Sequence, residues 1–394
     1  MENKEILDVS ETMCLLPWDS AAIRPFSTAM PCCRFSLPNA ISFATESNVG
    51  NDFRNSVTWV KTRESMLAGE KISSCFRCYR EEESGSESMR TLSIKEHLKR
   101  KTLPTDANIL PLRFLEIAFS NLCNLGCVSC SASYSSTWAA EDYKHGRLPP
   151  GQKALIQHNN DLGDIDLSHV TVIKIIGGEP FMDQARFIAL LKRLNLKTLG
   201  IRISTNGTVL PNEELKSLMD QCKHVVLDVS LDGFESVNEW YRWPTKWHEV
   251  VSNMNQYHAW WGDKSNVLLQ IHTVINAYNI WTLDKTVQFM IDNYPTWGID
   301  SDWIVIPAWQ SLGVIPNEYK KYLTEKLITW NNTIKPNTRF GKANPFKVSI
   351  DRLNDSPGNS SWEEFKSRSL SLSKERKLDL FAMVPDLKDP FNIS

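Results

Sequence analysis

The chain has 394 residues, room for two or three domains, with 44 basic against 46 acidic residues, a formal charge of −2, 42% apolar content and 23% charged content. These values exclude a small disulfide-stapled scaffold and a disordered or collagen-like chain. With no basic excess and no long Lys/Arg block, generic binding to nucleic acid or to an acidic membrane surface lacks electrostatic support.

The opening residues MENKEILDVSE lack the charged, apolar and small-residue regions of a secretory signal, so a cytoplasmic location is expected. No stretch approaches the roughly 18 uninterrupted apolar residues of a membrane-spanning helix, and the final DLKDPFNIS carries no lipidation motif, so no membrane partner is expected. Eight of the nine cysteines, at 14, 32, 33, 75, 78, 123, 127 and 130, fall in the first third of the chain. In a reducing compartment that clustering points to metal or redox chemistry rather than to disulfides. Cys14 precedes a Pro-Trp pair, Cys32 and Cys33 follow an expected hairpin, a helix is expected over 58–68, and Cys75 and Cys78 form a CxxC. Four of these five thiols suffice for a tetrahedral zinc or a complete iron–sulfur cubane, and spacing does not separate the two metals. Either Cys32 or Cys33 fits as the fourth ligand. The polar stretch 101–111 reads as a linker, which makes residues 1–105 a separate small domain.

From residue 112 onward, strand-like runs alternate with helical ones. Strands are expected within LRFLEIAFS, TVIKIIGGEP, LGIRISTNG, HVVLDVSLDGF, VLLQIHTVIN and DWIVIPAW, and crossover helices over 182–194, 212–221, 247–260 and 282–293. Repeated β-then-α units imply a parallel sheet with right-handed connections, and six of them make a partial (β/α)6 TIM-like barrel over 106–310. Active sites of such barrels sit at the carboxyl ends of the strands. Beyond the barrel, 318–334 reads as a helix, 335–361 as a long loop and 362–370 as a last helix, together a helical and irregular extension over 311–394.

The segment SNLCNLGCVSC sets Cys123, Cys127 and Cys130 in C-x3-C-x2-C spacing directly after the first barrel strand. A [4Fe–4S] cluster normally takes four cysteines. With three, and no distant cysteine to close the set, one iron keeps a position for a small chelating ligand. Zinc prefers four ligands, usually from paired knuckles, and fits this triad less well. The loop resembles the signature of the radical SAM superfamily, in which the same triad follows the first barrel strand. Ser129 departs from the aromatic residue that many members carry there. The second strand ends in Gly177, Gly178, Glu179 and Pro180, similar to the GGEP motif with which that family holds the methionyl ammonium of S-adenosylmethionine (SAM). Glycines let backbone carbonyls approach a ligand, a carboxylate pairs with an ammonium, and proline suits the first turn of the next helix. The third strand ends Ser204-Thr205-Asn206-Gly207 and the fourth Ser230-Leu231-Asp232-Gly233. The resemblance implies SAM contacts from Ser204, Asn206, Ser230 and Asp232, and a bidentate pair between the SAM carboxylate and Arg242, twelve residues after Ser230. Taken singly, each of these also reads as a helix-capping turn. Backbone contacts to adenine are expected from IHTVIN.

In the first hundred residues, the order C-x2-PW, hairpin, PCC, helix, CxxC resembles a Twitch domain, a shortened SPASM module with an auxiliary [4Fe–4S] cluster, placed N-terminally as in one subgroup of the superfamily. Structural zinc is the alternative there. The resemblance implies an enzyme whose reduced cluster cleaves SAM to methionine and a 5′-deoxyadenosyl radical, which abstracts a hydrogen atom from a peptide or protein. The alternative substrate is a nucleotide, sugar or other small metabolite, and an external electron donor such as flavodoxin or ferredoxin is implied. A reading from another class is a non-catalytic iron–sulfur or zinc protein, an electron carrier or scaffold. Trp240, Trp243, Trp247, Trp260, Trp261, Trp303 and Trp309 cluster late in the barrel, mostly as core, with one or two open to a stacking role. His272 reads as a hydrogen-bonded core residue and Glu116 and Asp302 as candidate acids or bases. The spare N-terminal thiol and Cys222 read as buried and inert.

Overall fold

The computed structural model describes residues 11–25, 28–35, 41–42, 52–83, 87–100, 104–148, 155–156, 162, 165–334, 338–341 and 344–391. Two compact units make up the chain, one from Met1–Leu122, Pro150–Arg202 and Pro211–Lys223, the other from Cys123–Pro149, Ile203–Leu210 and His224–Ser394. Both are α/β in character. Among the described residues no helix is long and apolar enough to cross a membrane.

In the first unit, β1 (Ser20–Arg24) pairs antiparallel with β2 (Thr28–Met30), and β2 with β3 (Ile41–Ser42), giving the hairpin expected ahead of Cys32. The other edge of β1 pairs in parallel with β4 (Phe114–Ala118), which pairs in parallel with β5 (Val172–Ile176). The cysteine-rich segment therefore extends the parallel sheet as well as forming its own hairpin. All five residues of β1 are buried, so it lacks the alternation that marks a half-exposed strand. Register aligns Ala22, Glu116 and Lys174. Glu116 is 1% exposed and ion-paired with Arg24 at 2.5 Å and Lys174 at 3.2 Å, a neutralised buried carboxylate rather than the acid or base the sequence suggested. The helices Gln184–Leu191 and Glu213–Asp220 fall where crossovers were expected, the second capped by Asn212, which accepts from Leu215 N at 2.9 Å.

β6 (Gly200–Thr205) passes from the first unit into the second between Arg202 and Ile203. In the second unit, β7 (His224–Ser230), β8 (Val267–Ile275) and β9 (Gly298–Trp303) run parallel in that order, with helices Trp247–Trp261 and Leu283–Asn293 between them in sequence. β9 starts earlier than the expected DWIVIPAW and stops at Trp303. The expected loop 335–361 contains a helix, Pro345–Leu353, where Asn344 caps Phe346 N at 3.0 Å, Pro345 takes the first turn, and Phe346, Ser349 and Leu353 bury one face. Residues 335–337 and 342–343 lie outside the described residues. The last long helix runs Trp362–Arg376, six residues beyond the expected end. Of the late-barrel tryptophans, Trp240, Trp261 and Trp309 are buried, whereas Trp243, Trp247, Trp260 and Trp303 are half-buried, Trp247 packing on Phe234 and Phe289 and Trp303 Nε1 donating to Ser349 Oγ at 2.9 Å.

Candidate functional site

In the second unit the three cysteines lie on a loop fastened from several sides. Ser136 and Thr137 hydroxyls donate to the Cys123 carbonyl at 3.0 and 2.8 Å, Ser135 Oγ to the Leu125 carbonyl at 2.6 Å, and Trp138 Nε1 to the Cys127 carbonyl at 2.7 Å. These four residues open the helix Ser136–Lys144 and its cap, so one helix start holds most of the loop. On the other side, Gly126 N donates to Trp243 O at 2.7 Å and Val128 N to Tyr241 O at 2.8 Å. Gln310 completes the set, donating from Nε2 to Val128 O at 3.0 Å while its Oε1 accepts from Tyr241 at 2.8 Å. Burial raises the Cys127 thiol, with Arg242 and Arg376 favouring the thiolate, and burial pushes Cys130 up to about 12, with Cys127 adding to it.

Asn206, just past β6, reaches this loop: its Nδ2 lies 2.9 Å from Asn124 Oδ1 and 3.8 Å from Cys123 Sγ, and its Oδ1 accepts from Thr208 N and Oγ1 at 2.9 and 2.7 Å. Ser204 lies on β6, half-buried. Ser230, the last residue of β7, stands in register with His272, which is in register with Asp300, so the three share one face of the sheet. His272 Nδ1 lies 3.3 Å from Asp300 and Nε2 3.7 Å from Asp302. Asp232 and Arg242 are joined directly, Nη1 to Oδ2 at 2.6 Å, and the other Asp232 oxygen accepts from Val274 N at 2.7 Å. Asp232 thus braces β8 and holds Arg242. Burial works against the arginine's charge, but Cys127 and Asp232 outweigh it and raise its pKa. Arg242 Nε is buried with no hydrogen-bond partner among the described residues.

In the first unit Gly177 and Gly178 adopt φ of 77° and 48°, and an added Cβ would meet Ala118 Cβ at 2.3 Å and Leu122 O at 2.3 Å respectively. Both glycines are required by geometry. Glu179 N donates to Leu122 O at 2.7 Å, and the buried Glu179 carboxylate accepts from Phe181 N at 3.0 Å, capping the 3-10 turn Pro180–Met182. Proline occupies the first turn, as expected.

The N-terminal cysteines separate into two settings. Cys14 and Cys32 are buried in one apolar cluster with Trp18 and Met66, against which Cys75 packs. Burial pushes Cys14 up to about 11 and Cys75 to about 12, and Cys14, Cys75 and Cys78 act on one another electrostatically. Burial also raises Cys32, with Cys14 and Cys33 next in effect. Cys33 instead has Glu116, Lys174, Arg24 and Arg34 as its main charged neighbours beside the effect of burial. Among the described residues no three Cys, His, Asp or Glu side chains form a group able to hold a single metal ion. A cubane offers a separate iron to each thiol and so suits more widely spaced ligands. Cys222 is buried, with Sγ 3.5 Å from Leu218 O.

Sequence reasoning missed Arg376. Its guanidinium lies between the rings of Trp138 and Trp243, at 4.8 and 4.7 Å, and pairs with Glu141 at 3.1 and 2.9 Å. No spacing rule links it to the cysteines. Tyr241 and Gln310 were likewise invisible, being defined only by their hydrogen bonds.

The donor set suits an iron–sulfur cluster with a chelating ligand. The second unit contains only Cys123, Cys127 and Cys130 as cysteines, and Arg242 keeps a buried donor to spare. Among solved structures, the chain is similar to native anSMEcpe with bound AdoMet and Cp18Cys peptide, at 16% identity and a TM-score of 0.38, covering 59% of this chain and 63% of that one. It is also similar to Streptococcus suis SuiB bound to precursor peptide SuiA, at 13% identity and a TM-score of 0.37, covering 75% and 69%. The chain spans less than two thirds of the first of these. No curated protein matches it. Residues 117–290, which carry the three cysteines, the GGEP turn and the Asp232–Arg242 pair, match the family model of the Radical SAM superfamily.

Proposed function

We propose that this protein is a radical SAM enzyme with an N-terminal Twitch-like domain over 1–105, a partial barrel over 106–310 and an extension over 311–394, acting on a peptide or protein. The observation that carries the reading is a fastened loop with three thiols and no other cysteine in its unit. Bound there, a [4Fe–4S] cluster would supply the electron for SAM cleavage and so the hydrogen-atom abstraction from substrate. Cys123, Cys127 and Cys130 would hold it, and Asn206, bonded to Asn124, would steady the Cys123 end. Gly177 and Gly178 would open the backbone to the methionyl group, Glu179 would face its ammonium, and Arg242, oriented by Asp232, would take the SAM carboxylate. Ser204 and Ser230 complete the proposed SAM contacts.

Cys14, Cys32, Cys75 and Cys78 would hold the auxiliary [4Fe–4S] cluster. Cys32 is favoured over Cys33 because it shares the buried cluster of Cys14 and Cys75. The peptide reading is supported by the resemblance of the N-terminal cysteine order to Twitch and SPASM relatives. A flavodoxin or ferredoxin would deliver electrons.

Anaerobically reconstituted protein should bind about eight irons and, with dithionite, convert SAM to methionine and 5′-deoxyadenosine. Cys127→Ala should abolish turnover, whereas Cys75→Ala should lose about half the iron and keep the primary cluster. SAM binding without cleavage would favour the scaffold reading. An adjacent precursor-peptide gene supports a peptide substrate; a co-purified nucleotide or sugar in its place argues against it.

A further inference from the structure

The C-terminal extension contributes a residue to the cysteine loop. Arg376 ends the helix Trp362–Arg376, and its side chain is 1% exposed. Its two flanking rings are both attached to the loop: Trp138 through Nε1 to the Cys127 carbonyl, and Trp243 through its own carbonyl to Gly126 N, each at 2.7 Å. A Cβ on Gly126 would lie 3.2 Å from Arg376 Nη2 and 3.3 Å from the Trp243 ring. The guanidinium is therefore the filler that sets the spacing of the two rings, and Glu141 fixes its plane with a two-point pair.

We propose that Arg376 is a positioning residue for the cluster loop, holding Trp138 and Trp243 at the separation the loop requires and placing a buried positive charge beside the cluster that favours its reduced state. This rests on the reading that Cys123, Cys127 and Cys130 hold a [4Fe–4S] cluster. Reduction adds negative charge, so a cation held in a water-poor setting stabilises the reduced form and raises the potential. Glu141 partly offsets that cation. Lysine would keep the charge but lose the planar stack and the fork.

The test measures, on the whole reconstituted protein, the midpoint potential of the SAM-responsive electron paramagnetic resonance signal and the rate of iron loss to a chelator. Arg376→Met should lower the potential by at least the equivalent of tenfold in the reduction constant, about 59 mV for one electron, and speed iron loss. Arg376→Lys should lose iron faster while holding the potential near wild type, and Glu141→Gln should raise the potential. The last two variants carry the test if Arg376→Met does not fold. Wild-type protein with a SAM-responsive cluster, and variants unchanged in both measurements, overturns this inference alone. Wild-type protein that takes up no iron at the three cysteines overturns the cluster reading and this inference with it.

Discussion

At Gly178 the backbone sits at φ 48°, and the Leu122 carbonyl oxygen that a Cβ would strike at 2.3 Å is the same atom that accepts from Glu179 N. A side chain there incurs the left-handed penalty and also pushes away a hydrogen-bond acceptor. Gly178→Ala should cost about 2 kcal/mol or more, read as a lower urea midpoint of the apo protein; an unchanged midpoint would mean the turn relaxes freely. That need for glycine was legible, because a Gly-Gly pair closing an apolar run marks a tight turn that a Cβ would obstruct. Glu116 was not legible. Its two cationic neighbours come from strands on either side, and no sequence spacing places Arg24 and Lys174 beside it. The choice between adjacent Cys32 and Cys33 was closed to the sequence for a similar reason, since it depends on which thiol turns toward the apolar cluster.

Between β7 and β8, Asp232 serves both as a bracket and as a counter-ion. One oxygen accepts from Val274 N at 2.7 Å and the other from Arg242 at 2.6 Å, with the Arg242 side chain 12% exposed. Removing the carboxylate leaves a buried guanidinium uncompensated, so Asp232→Ala should lose about 3–5 kcal/mol in chemical denaturation, and Asp232→Asn less, because an amide oxygen still serves Val274. Equal losses would show that the bracket to Val274 contributes little beyond the pair with Arg242. The crossover helices were readable from their apolar spacing and their caps, Asn212 among them. β9 was misplaced because the exposed Val305 and Ile306 imitate a strand, and the helix Pro345–Leu353 was hidden by the Pro and Asn residues that in fact start it.

Across the whole chain, the placement of the cysteine triad after β4 and of the candidate residues at the ends of β5, β6 and β7 was legible because it depends on local spacing. The role of the last eighty residues was not, since Arg376 meets Glu141 across 235 positions of sequence. Distance along the chain carries no signal that a single sequence can show. β1 has the same character: it belongs by sequence to the cysteine-rich segment and by hydrogen bonding to β4. A chain lacking residues 1–105 should expose the bare edge of β4 and aggregate, seen as light scattering at concentrations where the full chain stays clear; a clear, monodisperse truncation would contradict it. Ser20–Arg24 is in effect a seam, stitched on one side to the hairpin and on the other to the strand that launches the cysteine loop. Recombination between relatives that cut at residue 105 would therefore tear the fabric, and inheritance of this module is tied to a matching β4.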